Sequence, residues 1–195
     1  SDNGTIVYLS GSRSADRQLT WYDREGKEIS KVGQPGNYMD VVLSPDGKRA
    51  AASRIVDGNA DIWVIDLERG LPTRFTFNAA AEDDPAWSAD GGSILFSSNR
   101  DNDIRKLYRK LASGAGNEEL VSDAVRIHNT GIDWSPDGKN ILYASRGEKT
   151  GFDIWVLPLG GDAKPYPLLQ SEFTEEHVRF SPDGRFFAYK SNESG

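Results

Sequence analysis

One tetrapeptide returns four times along this chain. Ser44-Pro45-Asp46-Gly47 recurs as Ser88-Ala89-Asp90-Gly91, Ser135-Pro136-Asp137-Gly138 and Ser181-Pro182-Asp183-Gly184, at intervals of 44, 47 and 46 residues. Each copy follows a short apolar or aromatic run: Val41-Val42-Leu43, Pro85-Ala86-Trp87, Ile132-Asp133-Trp134 and Val178-Arg179-Phe180. Each precedes a second one, as in Ser93-Ile94-Leu95-Phe96 and Asn140-Ile141-Leu142-Tyr143.

Proline presets φ at the first central position of a tight turn, Asp bonds nearby backbone, and Gly supplies positive φ. Two strand-like runs joined by such a turn read as a β-hairpin. Repeated at a period in the forties, the unit is one blade of a β-propeller, with about four strands per blade. The spacing predicts complete blades over 41–77, 85–121 and 132–169, an incomplete blade over 4–33, and the first hairpin of another over 178–190. No stretch has a convincing helical period, so the class is all-β, with four-stranded antiparallel blades and material for about four of them. Propellers usually close with more blades, so the expectation is a part of a larger ring. An open arc would present unpaired edges and self-associate. Pairing of Val178–Phe180 with the N-terminal blade, closing a small ring, is the alternative.

At Leu43-Ser44-Pro45-Asp46-Gly47-Lys48 and Asp61-Ile62-Trp63 the repeat resembles the TolB-like, WD-repeat-like β-propellers of bacteria. Gln18 to Lys27, Ser113 to Gly116, Leu157 to Asp162 and Tyr189 to Gly195 are similar to propellers C-terminal to bacterial serine/threonine protein kinases. That resemblance implies a non-catalytic interaction or sensor module for a protein or small ligand, with any kinase chemistry elsewhere. Accessory propellers of prolyl-oligopeptidase-type hydrolases and a free-standing periplasmic TolB-like protein are the alternatives. A periplasmic or extracytoplasmic place is favoured over the cytoplasm.

The chain itself encodes no catalytic constellation. It lacks a Gly-x-Ser-x-Gly elbow, a kinase His-Arg-Asp or Asp-Phe-Gly, and a phosphate loop; Gly114-Ala115-Gly116 reads as a turn. With no cysteine there is neither a disulfide nor a thiolate metal site. A net charge of −7 argues against nucleic acid as partner. No apolar run of 18 residues is present, so this segment is not expected to insert into a membrane.

Candidate binding residues lie in loops expected at the rim of a central channel: Tyr38, Asp83, Asp84, His128, Glu176 and His177. His128 and His177 each precede the first strand of a blade. A metal or ligand role is open to them, but without a His-Glu-x-x-His pattern the structural or solvated reading is preferred. Glu82-Asp83-Asp84 and Glu175-Glu176 read as solvated loop carboxylates, or as an acidic mouth attracting a cation such as Ca²⁺. No metal site or cofactor is expected. Trp63, Trp87, Trp134 and Trp155 read as packing between blades. Arg100, Arg105, Lys106, Arg109 and Lys110 read as a solvated strand edge.

Overall fold

The structure is a computed structural model that describes residues 6–10, 16–123, 131–147, 151–161 and 164–194. Seventeen strands and no helix are found among the described residues. They form five consecutive antiparallel sheets. The first holds β1 (Ile6–Ser10), β2 (Arg17–Tyr22) and β3 (Glu28–Gly36). The second holds β4 (Tyr38–Leu43), β5 (Arg49–Val56), β6 (Asn59–Asp66) and β7 (Leu71–Arg74). The third comprises β8 (Glu82–Trp87), β9 (Ser93–Asp101), β10 (Ile104–Leu111) and β11 (Glu119–Ser122). The fourth comprises β12 (Ile132–Trp134), β13 (Asn140–Arg146), β14 (Phe152–Pro158) and β15 (Tyr166–Leu169). Last come β16 (Glu175–Phe180) and β17 (Phe187–Ser191). Among these strands β16 pairs only with β17 and β1 only with β2, so the small ring closed by Val178–Phe180 is not formed.

Every Ser-x-Asp-Gly turn is built the same way. The Ser Oγ donates to the Asp Oδ1 over 2.6, 2.6, 2.6 and 2.7 Å in chain order. The Gly N–H closes on the Ser carbonyl at 2.8 Å in all four copies. The Asp carboxylate also accepts from a backbone N–H two residues on, from Lys48, Gly92, Lys139 or Arg185. These bonds, the Ser hydroxyl first, hold Asp46, Asp90, Asp137 and Asp183 below the usual carboxylate range. The turn is a closed unit that satisfies its own polar groups, which lets one sequence serve four blades.

The core lies between blades rather than inside any one of them. Four apolar clusters each span two consecutive sheets. Leu19 and Val32 meet Tyr38, Ala50 and Ile65; Ala51 and Ile62 meet Trp87, Phe96 and Tyr108. Leu95 and Leu107 meet Ile132, Ile141 and Tyr143; Leu142, Ile154 and Val156 meet Val178. Because each of the three middle sheets packs against a neighbour on both faces, its second strand carries a continuous apolar run rather than an alternating one. The small run Ala50-Ala51-Ala52 is fully buried, Ala51 in the cluster with Phe75, Trp87 and Phe96 and Ala50 and Ala52 in the one with Leu19, Val32 and Tyr38. Size complementarity of this kind keeps the packing dense. Trp87 also ties two blades by donating Nε1–H to the Val42 carbonyl at 3.2 Å.

Several strand limits differ from the sequence reading. Strands β4 and β16 begin three residues early, at Tyr38 and Glu175, and two further limits have a local reason. Residues 73–77 were expected to form the outer strand, yet β7 ends at Arg74. There the Thr76 Oγ1 accepts the Ile62 N–H at 2.9 Å, so a side chain takes over the ladder. The inner strand β8 begins at Glu82, three residues ahead of the expected Pro85. Its carboxylates find cations on the neighbouring strands, which removes the cost of placing acids in a strand.

The basic stretch is not a solvated edge. Arg100 pairs with Glu82 and, at 2.7 Å, with Glu118; Arg105 pairs with Asp83 at 2.7 Å. Lys110 is buried and donates to the Phe75 carbonyl at 2.9 Å. Only Arg109 is exposed, paired with Glu119.

Candidate functional site

The innermost strands β4, β8 and β16 each carry a register shift at the same place, at Tyr38/Val41, Asp83/Ala86 and Glu176/Arg179. A β-bulge adds one residue to a strand and re-aims its side chain. Asp40, Asp84 and His177 lie within these shifts, four positions before their turn serines, and Gly131 holds the same position just ahead of β12, whose pairing shows no shift. Three of them sit in the left-handed region, Asp84 at φ 54°, Gly131 at φ 95° and His177 at φ 58°. Asp is among the few side chains that tolerate such a φ.

These four residues border one cavity of about 410 Å³, where the inner strands converge. Asp83 and Arg179 complete its inner-strand lining. Arg17 from β2, Ile55 from β5, and Asn37 and Met39 around the start of β4 close its flank. The cavity mixes carboxylates and guanidiniums, but their donors and acceptors are not matched evenly. Arg179 Nη1 donates to the carbonyls of Ile132 and Val178, both at 2.9 Å. Arg17 Nη1 donates to the Met39 carbonyl at 3.3 Å. Asp83 is engaged by Arg105 at 2.7 Å.

Asp84 is different. It is 8% exposed and belongs to no ion pair among the described residues. Its nearest donor is the Ser97 Oγ at 3.5 Å, and that hydroxyl also lies 3.3 Å from the Asp83 carbonyl. A hydroxyl has one proton, so it serves one acceptor at a time. Burial first, then the charges of Asp40 and Asp83, push the Asp84 carboxyl up to about 7, against the opposing pull of Arg105 and Arg179. Glu82, two residues away, is also pushed up to about 7, by burial first; Thr76 and Arg100 pull the other way. Glu82 is fully buried and capped by Arg100, so it belongs to the scaffold.

Of the residues expected at the rim, Asp83, Asp84 and His177 do border the cavity. They do so from strands, not loops, and both acids are buried rather than solvated. Tyr38 lies in the core between the first two sheets, under the Arg54 guanidinium at 5.2 Å. Glu176 turns to Lys190 at 2.7 Å. His128 lies outside the described residues. No group of three or more His, Asp or Glu placed to hold a metal occurs among the described residues. The reading by residue type missed Arg17, Asp40, Gly131 and Arg179. Counting back four positions from each turn serine would have found Asp40 and Gly131, since that position borders the cavity in each sheet from the second to the fifth.

Consecutive four-stranded sheets packed face to face, with inner strands converging on an axial cavity, define a β-propeller. The chain belongs to the TolB beta propeller domain family, whose model matches residues 1–195. It is 29% identical over 159 residues to an uncharacterised protein of Agrobacterium fabrum, covering 75% of this chain and 52% of that protein. It is 31% identical over 121 residues to the uncharacterised peptidase YuxL of Bacillus subtilis, covering 58% of this chain and 18% of the peptidase. The chain thus spans about half, or less, of the length of these relatives. TolB of Acinetobacter baumannii superposes with a TM-score of 0.70 at 20% identity, over 98% of this chain and 52% of TolB. At that identity the likeness is one of fold.

Proposed function

We propose that this propeller is a non-catalytic recognition module whose axial cavity receives a small polar ligand or a segment of a partner protein. One observation carries the reading: register shifts in three of the inner strands place Asp40, Asp84 and His177 at one cavity. A scaffold that needed only to pack has no use for buried acids there, because each ionised carboxylate withdrawn from water costs stability. The kinase-like sequence signature favours a sensor or interaction part of a larger bacterial protein, with catalysis in another domain.

Ligand-observed NMR against a panel of amines, amino acids, carboxylates and short peptides tests this. Met39 borders the cavity without being charged or deeply buried, so Met39→Trp fills the space and leaves the acids in place. Binding to the parent chain that disappears in Met39→Trp is expected. No binding, or binding untouched by the substitution, would refute the module.

A second reading draws on the likeness to YuxL: the same cavity would lie on a route for substrate towards a hydrolase domain. Under it, Met39→Trp in the full-length protein slows cleavage of large substrates more than of small ones.

A further inference from the structure

We infer that the axial cavity is a site for an organic cation, an alkylammonium or guanidinium group such as a lysine or arginine side chain, received by Asp84 and Asp40. This rests on the cavity's being a recognition site and assigns the chemistry recognised there.

The polar groups around the cavity differ in how well they are partnered. Of the cavity's charged residues, Arg17 and Arg179 direct donors at backbone carbonyls and lie partly or largely in solvent. An anion arriving at a solvated guanidinium exchanges one set of water contacts for another and gains little. Asp83 is held by Arg105. The Asp84 carboxylate is more than nine-tenths buried, borders the cavity, and has only the shared, 3.5 Å contact from Ser97. Asp40 likewise has one contact, from Ser53 Oγ at 3.5 Å. Two acceptor groups, one of them largely buried, border the same space with only one long hydroxyl contact each. A desolvated carboxylate gains most from a charge-assisted donor that it does not otherwise have.

The donor set also separates an organic cation from a metal ion. A hard divalent cation takes six or more oxygens at close range. Here three carboxylates border the cavity among guanidiniums, one of them, Asp83, held by Arg105, and no cluster of three or more acidic or His groups placed for a metal occurs among the described residues. An ammonium or guanidinium needs only one or two carboxylates and has the N–H groups to satisfy them. The apolar Ile55 and Met39 flank would pack the methylene stem of such a side chain.

The experiment is a titration of the isotope-labelled chain, followed by amide NMR at pH 8 and low salt. The probes are N-acetyl-arginine amide and N-acetyl-lysine amide, whose only charge is on the side chain. The glutamine and glutamate analogues and CaCl₂ serve as comparisons. Shifts at Asp40, Asp84 and Gly131 with the cationic probes are expected, weakened about tenfold or more by Asp84→Asn, the equivalent of about 1.4 kcal/mol. Asp40→Asn should weaken binding in the same direction. Equal binding of the neutral or anionic probe would overturn the cation assignment and leave the recognition cavity standing, as would a response to CaCl₂ alone. Silence towards every probe, in chain and Met39→Trp variant alike, would overturn both. Unfolding of Asp84→Asn is controlled by its melting curve, and Asp40, which is exposed, supplies an independent variant.

Discussion

Asp84→Asn should make this protein more stable at neutral pH, although it removes a buried polar contact. The Asp84 carboxyl is raised from an ordinary 3.8 to about 7. A carboxyl whose pKa is higher in the folded state binds its proton more tightly there. Stability therefore falls as pH rises through the window between those values, and levels off above it. With these two values the ionisation of Asp84 costs on the order of 2 kcal/mol at pH 5 and on the order of 4 kcal/mol at pH 8. The pH-dependent part is thus roughly 2–3 kcal/mol. Asparagine keeps the shape without the charge, so the variant should lose that part. Urea unfolding of the parent and of Asp84→Asn at pH 5 and pH 8 measures the effect. The difference in unfolding free energy between variant and parent should move in the variant's favour by about 2–3 kcal/mol from pH 5 to pH 8. Glu82, also at about 7, lowers the stability of both proteins alike over the same range and cancels from the comparison. A variant effect of equal size at both pH values, or a loss that grows at pH 8, would refute the view of Asp84 as a desolvated, unpaired carboxylate.

Two further outcomes test the scaffold. Gly70, at φ +66°, lies where an added Cβ would stand 2.8 Å from the Gly33 backbone nitrogen, across the junction of the first two sheets. Gly70→Ala should cost about 1–2 kcal/mol from the left-handed backbone alone, with the backbone clash added, and lower the melting temperature. Ser135→Ala removes the donor to Asp137 at 2.6 Å and the acceptor for the Asn140 N–H at 2.9 Å. It should cost about 1–2 kcal/mol in urea unfolding, because the Ser135 hydroxyl is buried while the exposed Asp137 carboxylate can turn to water.

The architecture was legible because the turn is self-contained. Ser-x-Asp-Gly bonds to itself, so its spacing marks blades without knowledge of their packing. The tryptophans followed from the same period, and Trp87 does lie in an inter-blade core. What could not be read was where charge would be buried. Glu82-Asp83-Asp84 looks like a loop because acids are rare in strands, and its strand character depends on Arg100 and Arg105 folding over from β9 and β10. Likewise the basic stretch looks solvated until those acids are placed beside it. Tyr38 sits six positions before its turn serine, as Glu82 and Glu175 do before theirs. All three are buried, so that register belongs to the core and the register two residues later to the cavity.

The most direct measurement is the titration of the Asp84 side-chain carboxyl itself, followed by ¹³C NMR in the folded chain with and without N-acetyl-arginine amide. The account predicts a midpoint near 7 in the free protein, moving down when the cationic probe binds. A midpoint near 4 in the free protein, unmoved by the probe, would show a solvated or already paired carboxylate and contradict the account.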